Sequence, residues 1–586
     1  MDILILDSGL RKAHPALKNA HVTGYSLFYR DGQLTKNNDF EDEIGHGTGV
    51  CQIIQKNCPF ANIKMIKIYG EQLEVSEEAF TAILSYLYEN EKADIINLSL
   101  GINACENYGG MYDICKKMVS NGTKLVSAFD NSGAISYPAA FDCVIGVDSA
   151  AYINNDRTYE FVESSVVNMR VKGGISRIAW VKPDYIMVNG LSFACAYATG
   201  IIANQLIEGK YDLVTNASYI NKTCYTLKEP LSNIPFEINN AALFPFNKEM
   251  HSLVRFADML DFNIASVCDV RLSGRVNMSV RKILDVKAPD IMIQDVTSLP
   301  WEKIDTLILG HTDELISLTK NNRLRDDLLE IAKSRHVNVY SFDPLDNENY
   351  PNIYYPCITQ NNMPFNLGKL RYIPTPVLGV FGTSSRQGKF TLQLLLRKKL
   401  KERGYRVGQL GSEPGSPLYG MDEVFPFGYN GTVYVHDQDA ITVLNEQMWR
   451  ISQKEYEIII VGSQSGTIPY AHSNISQYPI KQAAFLYGTR PDAVVLAVNP
   501  HDDIEYIQRT VIFIESAINC KVIALSLFPM GLNDNYAGLM GAKRRMSDDE
   551  LDVIKTTINE KLGVPVYILG DKNGIDSLID TVIDFF

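Results

Sequence analysis

What the chain lacks narrows its class before any motif is read. No stretch approaches the ~20 consecutive apolar residues that a membrane-spanning helix requires, so no span and no membrane partner are expected. The opening Met-Asp-Ile-Leu-Ile-Leu-Asp has no basic n-region, no long apolar h-region and no small-residue cleavage site, so no secretory signal is expected. Ten cysteines, at 51, 58, 105, 115, 143, 195, 224, 268, 357 and 520, form no CxxC and no paired metal-ligand spacing. Reduced core thiols in a cytoplasmic protein are the expectation. An excess of basic charge is missing as well: 55 Lys and Arg face 68 Asp and Glu, for a net charge of −13. Phosphate-backbone recognition needs a basic face, so no nucleic-acid partner is expected. The run Lys543, Arg544 and Arg545 is isolated and reads as solvated surface. Internal repeats, low-complexity tracts and a GxGxxG are also absent.

What remains is a globular composition, with 46% hydrophobic and 21% charged residues over 586 positions. At ~100–200 residues per domain, that length allows about three domains. Residues 1–210 alternate short aliphatic runs with helical stretches. Ile3–Leu6, Ala61–Ile68, Asp94–Leu100, Lys124–Ala128 and Cys143–Val147 read as buried strands, and Ser76–Asn90 and Tyr108–Asn121 as helices. Such alternation predicts an α/β fold with a parallel sheet and crossover helices. Residues 211–245, rich in Asn, Pro and Thr, read as an extended connector with room for a strand or two. Residues 246–372 alternate again, with strands at Phe262–Cys268, Ile291–Asp295, Thr306–Gly310 and Asn338–Ser341 and a helix at Arg323–Arg335. This reads as a small Rossmann-like unit. Pro374-Thr375-Pro376 marks a boundary, and 373–586 read as a third α/β unit. Its strands are Val377–Phe381, Arg406–Gln409, Glu457–Val461, Ala493–Ala497, Lys521–Ser526 and Val566–Leu569, with a helix at Phe390–Arg403.

Three local patterns in the first unit bring chemistry in the order Asp, His, Ser. Asp7-Ser8-Gly9 ends a strand, Gly45-His46-Gly47-Thr48-Gly49 follows, and Asn189-Gly190-Leu191-Ser192-Phe193-Ala194 opens a helix. Between the last two lies Asn131-Ser132-Gly133. A serine hydroxyl is a weak nucleophile until a base takes its proton; His46 suits that role, with Asp7 to orient the imidazole. The glycines let the backbone turn tightly. A helix N-terminus at Ser192 aims its dipole and free N–H groups at a developing oxyanion. Alone, Asp-Ser-Gly is a common turn and Ser-Phe-Ala any helix start; the ordered set is what carries information.

Together these motifs, in the order Asp, His, Ser, resemble the subtilisin family of serine peptidases. The resemblance implies a subtilisin-like fold over 1–210 with Asp7, His46 and Ser192 as the triad and Asn131 as the side-chain oxyanion donor. It implies that Ser99-Leu100-Gly101 is the substrate-pairing strand, binding an extended peptide by sheet addition. Departures are Gly49, Ala196, and Phe129-Asp130 where the family has Ala-Gly. Asp130 beside the expected S1 pocket suggests a preference for a basic P1 residue. With Asp7 so early, the family's inhibitory pro-segment is not expected, and narrow specificity would restrain the enzyme instead.

In the third unit Gly382-Thr383-Ser384-Ser385-Arg386-Gln387-Gly388-Lys389-Phe390-Thr391 follows a strand and opens a helix, the setting a phosphate cradle needs. The spacing is one residue longer than GxxxxGK[ST], and the hydroxyl follows Lys389 by two. It resembles the GTxxxxGKxT loop of DUF1611-type domains, relatives of dethiobiotin synthetase. The likeness continues at Val407–Gly411, Gly462–Gly466 and Tyr487–Ala493. It implies a P-loop NTPase-like domain binding ATP, another nucleotide or a CoA-like phosphate through Gly382, Thr383, Gly388, Lys389, Phe390 and Thr391, with Mg²⁺ an option. Relatives place a metal-holding glutamate where this chain has Gly462; Asp437, Asp439 and Glu413 are the candidate substitutes. Binding alone and binding with hydrolysis both stay open.

The segment around Met250-His251-Ser252-Leu253-Val254-Arg255 resembles clostridial-type peptide maturation proteins, which implies a precursor or leader peptide as substrate. Two other classes stay open: a nucleotide- or CoA-dependent transferase with an accessory peptidase, and a nucleotide-sensing module that gates proteolysis. The oligomeric state has no sequence signal.

Overall fold

Near-continuous aliphatic runs build the first sheet. Asp2–Asp7 reads DILILD, with five of its six residues buried, and all four residues of Ile95–Leu98 are buried. Strands covered on both faces carry such runs, as parallel sheets require. The computed structural model describes residues 1–586 except 19, 31, 106, 163–164, 210–231, 285–289, 346–351, 365–367, 429, 474–477 and 533–542. The chain divides into two units, Met1–Leu227 with Pro364–Tyr372, and Lys228–Met363 with Ile373–Phe586.

The first unit holds a nine-stranded sheet. In spatial order its strands are Gln33–Asn37, Val22–Arg30, Asn62–Lys67, Asp2–Asp7, Ile95–Leu98, Lys124–Ala128, Ile145–Ala150, Met169–Lys172 and Glu160–Phe161. The central pairings are parallel, and only the two outermost pairs are antiparallel. Four expected strands form within a residue or two of their predicted ends, while the one expected at Cys143–Val147 runs Ile145–Ala150; the edge hairpin Val22–Arg30 with Gln33–Asn37 was not predicted. Asp2–Asp7 stands where the chain, having built the sheet toward one side, turns to build the other. Ligands in open α/β sheets sit at the carboxyl ends of strands at that switch point. The helix Leu191–Glu208 packs across the strands Ile95–Leu98, Lys124–Ala128, Ile145–Ala150 and Met169–Lys172. From Leu191 to Ala203 every residue but Ser192 is buried, as expected of a helix apolar all round. Gly209, at φ 66°, ends it in the left-handed conformation.

The second unit carries two wholly parallel sheets. The six-stranded one runs Ile293–Asp295, Asn263–Asp269, Asn240–Phe244, Thr306–Leu309, Asn338–Ser341, Ile353–Tyr354. The seven-stranded one runs Glu423–Val424, Val407–Gly411, Ile458–Gly462, Val377–Gly382, Ala493–Val498, Lys521–Leu527, Val566–Ile568.

Two expected boundaries move. Asn240–Phe244, inside the expected connector 211–245, is an inner strand of the six-stranded sheet; its Ala-Ala-Leu-Phe is fully buried, too short a run for periodicity to reveal. Residues 210–231 of that connector, with Cys224, lie outside the described residues. Residues 364–372, expected to close the 246–372 unit, belong with the first unit, because Ile135 N–H donates to the Leu370 carbonyl at 2.7 Å and Ile135 forms a parallel bridge with Arg371. Among the described residues all nine cysteines are free thiols, and no helix is long and apolar enough to cross a membrane.

Candidate active site and phosphate cradle

Parallel strands end on one edge, and that edge gathers the expected site. Asp7 closes Asp2–Asp7, Ser99 follows Ile95–Leu98, and Asn131 follows Lys124–Ala128 by three residues. The helices His46–Asn57 and Leu191–Glu208 begin at the same edge. Gly45 makes the first of these starts possible: its φ of 109° is open to glycine, and a Cβ there would lie 2.6 Å from the Trp180 ring. Gly47 is needed for closeness, since a Cβ would sit 2.3 Å from the Gly9 carbonyl oxygen.

His46 Nδ1 lies 2.8 Å from Asp7 Oδ1, which also accepts the Ser8 N–H at 2.7 Å. A carboxylate only accepts, so this contact places the imidazole proton on Nδ1 and leaves Nε2 as the base. Asp7 is fully buried, and its Oδ2 is a buried atom without a partner. Burial pulls the His46 pKa down, but the charge and hydrogen bond of Asp7 and the charge of Asp42 outweigh it, so the imidazole sits above its ordinary value.

Asp42 was missed from sequence. Its Oδ1 accepts Ser8 Oγ–H at 2.9 Å, Ile44 N–H at 3.0 Å and Gly45 N–H at 2.8 Å, and its Oδ2 accepts Thr48 N–H at 2.9 Å and Thr48 Oγ1–H at 2.6 Å. Five donors on one buried carboxylate fix the turn that delivers His46. Its signal, an acid four residues before the helix-opening histidine, is legible as a cap-like acid at a helix start.

Ser192, partly exposed at the first turn of its helix, donates its hydroxyl to the Ser99 carbonyl at 3.0 Å. Ser99 Oγ in turn donates to Asn97 Oδ1 at 2.9 Å and to the Ser192 carbonyl at 3.1 Å. The Ser192 hydroxyl thus rests on the segment that follows the strand Ile95–Leu98. As a first-turn group, the Ser192 N–H has no intrahelical acceptor. Asn131 Oδ1 accepts the Leu191 N–H at 2.8 Å, so the hydrogens of its amide nitrogen are what it has left to donate.

One groove of about 870 Å³ is lined by His46, Ser192, Ser99, Leu100, Gly101, Asn131 and Asp130. Tyr69, Leu73, Val75, Ile102 and Trp180 supply its apolar wall; Glu74 and Asp130 are its acids. Asp130 faces the groove, but its carboxylate also caps the Ser132 N–H at 2.8 Å and the Ser132 hydroxyl.

In the second unit the strand Val377–Gly382 turns through Thr383–Gly388 into the helix Lys389–Glu402. Gly388, at φ 74°, is the required turn residue, and a Cβ on it would lie 2.4 Å from Leu569 Cδ2. Lys389 is buried and donates to the Ser384 carbonyl at 2.6 Å. Burial pulls its pKa down to about 8, with Glu413 pushing it up and Lys248 down. Gly388, Lys389, Phe390 and Thr391 line a cavity of about 1950 Å³, shared with Glu413, Gln464 and the Lys248–Arg255 helix. Gly382 and Thr383, expected in the cradle, do not line it. The Thr383 hydroxyl turns to Asp502, and Gly382 packs against Gln387 Oε1, where a Cβ would come within 2.6 Å. Gln387 Oε1 also takes the Ser384 N–H at 3.0 Å.

At Gly462, a Cβ would meet Gln393 Cδ at 1.7 Å, so the place of the relatives' glutamate is filled by a side chain from the P-loop helix. Of the expected substitutes only Glu413 reaches the cavity, where burial pushes its carboxyl up while Lys248 and Gln464 oppose that. Asp439 accepts from Gln360 Nε2 at 3.2 Å on the helix Asp437–Ser452, and neither it nor Asp437 lines the cavity. Arg545, expected as solvated surface, lines the cavity, while Arg544 pairs with Glu550 at 2.6 Å.

Residues 2–228 match the subtilase family profile, and residues 364–578 match the DUF1611 P-loop domain, a domain of unknown function. No curated protein matches the chain. A solved DUF1611 family protein from Anabaena variabilis is 14% identical, covering 59% of this chain and 99% of its own, with a TM-score of 0.43. The epidermin leader peptide processing serine protease EpiP from Staphylococcus aureus is 18% identical over 38% of this chain and 67% of its own, with a TM-score of 0.31. The prenylagaramide maturation protease PagA is 19% identical over 36% and 78%, with a TM-score of 0.28. The chain therefore joins a subtilase-family peptidase domain to a DUF1611-type P-loop domain.

Proposed function

We propose that this chain is a serine endopeptidase that acts through Asp7, His46 and Ser192 and cleaves a precursor or leader peptide in the cytoplasm. The observation that carries the reading is the 2.8 Å Asp7–His46 contact, opening on the same groove as a serine at a helix N-terminus and an asparagine amide. His46 Nε2 takes the Ser192 proton as Oγ attacks the peptide carbonyl. Asn131 and the Ser192 N–H hold the oxyanion. His46 then gives its proton to the leaving amine, and water, deprotonated by the same nitrogen, releases the acyl group. Glu74 and Asp130 are the acids of a groove in which His46 is the one basic lining residue, which favours a basic side chain at P1. Mass spectrometry of candidate precursor peptides after incubation with wild-type and Ser192→Ala protein tests this. Cleavage by wild type alone supports it; identical products from both, or none from either, overturns it.

The cradle fits a phosphate: a buried lysine, a helix N-terminus and a glycine turn meet at a cavity. Lys389, Gly388, Phe390 and Thr391 would hold ATP or another nucleotide, and Glu413 with Thr391 would hold Mg²⁺, which supplies charge neutralisation. A second reading, a nucleotide- or CoA-dependent transferase, is favoured by the cavity's volume of about 1950 Å³, well beyond the ~300–1,000 Å³ of an ordinary ligand pocket. If Lys389→Ala abolishes product formation while Ser192→Ala leaves it intact, the transferase reading prevails.

A further inference from the structure

The loop that carries Asn131 is tied by short-range bonds, among them the Ser132 N–H to the Asp130 carboxylate at 2.8 Å and the Leu191 N–H to Asn131 Oδ1 at 2.8 Å. Asn131 and Ser132 are exposed, and Gly133 takes a φ of 89°. Within the loop, the Gly133 N–H donates to the Asp130 carbonyl at 3.0 Å, and the Asp130 N–H donates to Ser136 Oγ at 2.9 Å. Its two ends, however, are gripped by residues more than two hundred positions further along the chain. On one side, Lys369 Nζ sits 3.1 Å from Asp148 Oδ2 and 5.1 Å from the centroid of the buried Phe129 ring, two residues before Asn131. On the other side, the Leu370 carbonyl accepts the Ile135 N–H at 2.7 Å, Arg371 bridges Ile135, and the Arg371 guanidinium donates to Tyr137 Oη at 3.1 Å. Lys369 and Arg371 are 9% and 5% exposed. Burying two cations is costly unless each is held by partners, so this contact is a built one. Lys369 also shares a pocket of about 510 Å³ with Asn131, Gly190 and Leu191.

We propose that Lys369 and Arg371 are positioning residues for the oxyanion donor: the 369–371 segment clamps both ends of the 129–135 loop and sets where the Asn131 amide points. The subtilase match ends at residue 228, so this support comes from outside the peptidase domain's own sequence. It comes from a stretch that ends six positions before the P-loop strand Val377–Gly382. A displacement of the donor by about 1 Å is enough to cost up to ~10²-fold in rate. The inference rests on the peptidase reading above.

The test is a double-mutant cycle in the full-length protein, following Ser192-dependent cleavage of a peptide substrate found for wild type. Lys369→Met is expected to lower kcat about tenfold or more with KM within a factor of two, and to lower the melting temperature as well, because Asp148 loses its cation. Lys369→Arg is expected to restore most of the rate. In an Asn131→Ala background, Lys369→Met is expected to cost little further, because the donor it positions is gone. Equal losses in both backgrounds, a loss confined to KM, or wild-type kcat in Lys369→Met would each overturn the clamp. Should Lys369→Met not fold, Arg371→Lys and Phe129→Leu are read in the same cycle, and additivity there overturns it equally. A wild-type protein without Ser192-dependent turnover would instead refute the peptidase reading.

Discussion

Asn131 has two jobs in this fold, and one pair of substitutions separates them. Its Oδ1 accepts the Leu191 N–H at 2.8 Å, holding the first turn of the nucleophile helix. In the proposed mechanism its amide hydrogens are the side-chain donors to the oxyanion. Asn131→Ala removes both. The lost cap costs about 1 kcal/mol of stability, and the lost donor costs about 10²–10³ in kcat. Asn131→Asp keeps an acceptor for Leu191 and adds a negative charge at a helix N-terminus, which is favourable by roughly 0.3–1 kcal/mol. The same charge stands next to the oxyanion. Two unit charges about 4 Å apart at an effective dielectric of ~20 repel by roughly 4 kcal/mol, or about 10³ in rate. Asn131→Asp should therefore melt at or above the wild-type temperature yet fall well below Asn131→Ala in kcat. Melting is read by calorimetry and turnover by a fluorogenic peptide carrying a basic P1 residue. An Asn131→Asp enzyme within tenfold of wild type, or faster than Asn131→Ala, would refute the assignment of the donor.

Asp42 helps hold the His46 pKa up, so Asp42→Asn should move the acid limb of the kcat/KM profile to lower pH, because His46 then stays neutral further down. The same change sets an amide nitrogen among five donors and should destabilise the fold by about 1–3 kcal/mol in denaturant titrations. Lys389, with its pKa pulled to about 8, should bind a phosphate ligand more weakly as pH rises through that value, while anion binding itself raises the pKa. Calorimetric titration with ATP at pH 7 and pH 9 checks the sign, and Lys389→Ala should abolish binding at both. Gly462→Glu should lower the melting temperature rather than create a metal site, since its Cβ would overlap Gln393; the double variant Gly462→Glu with Gln393→Ala should recover it. Asp130→Ala should weaken any preference for Arg or Lys at P1 over Leu in a peptide-library digest.

The residues of the proposed triad stood out in the sequence because they sit at element ends, where glycines and short polar residues leave a local mark. Asp7 ends a run of apolar residues, and His46 and Ser192 follow glycines that open helices. Asp42 left a faint mark of that kind and was passed over. Lys369 and Arg371 left none: their partners Asp148, Phe129 and Tyr137 lie more than two hundred residues away, and a Lys and an Arg between prolines read like any solvated linker. The strand Asn240–Phe244 was hidden by shortness, and the edge hairpin Val22–Arg30 by its half-exposed, mixed sequence. In the P-loop half, spacing identified the lysine and the turn but not which loop side chains face inward. Asp502 and Gln387 hold the Thr383 hydroxyl, and no spacing rule registers that.

Ser192, released from its hydrogen bond to Ser99, is the proposed nucleophile. Labelling the full-length protein with a fluorophosphonate and mapping the adduct by tandem mass spectrometry asks this directly. A single phosphonyl adduct on Ser192 is expected, formed slowly in His46→Ala and absent in Ser192→Ala. An adduct on another serine, or none on a folded wild-type protein, would contradict it.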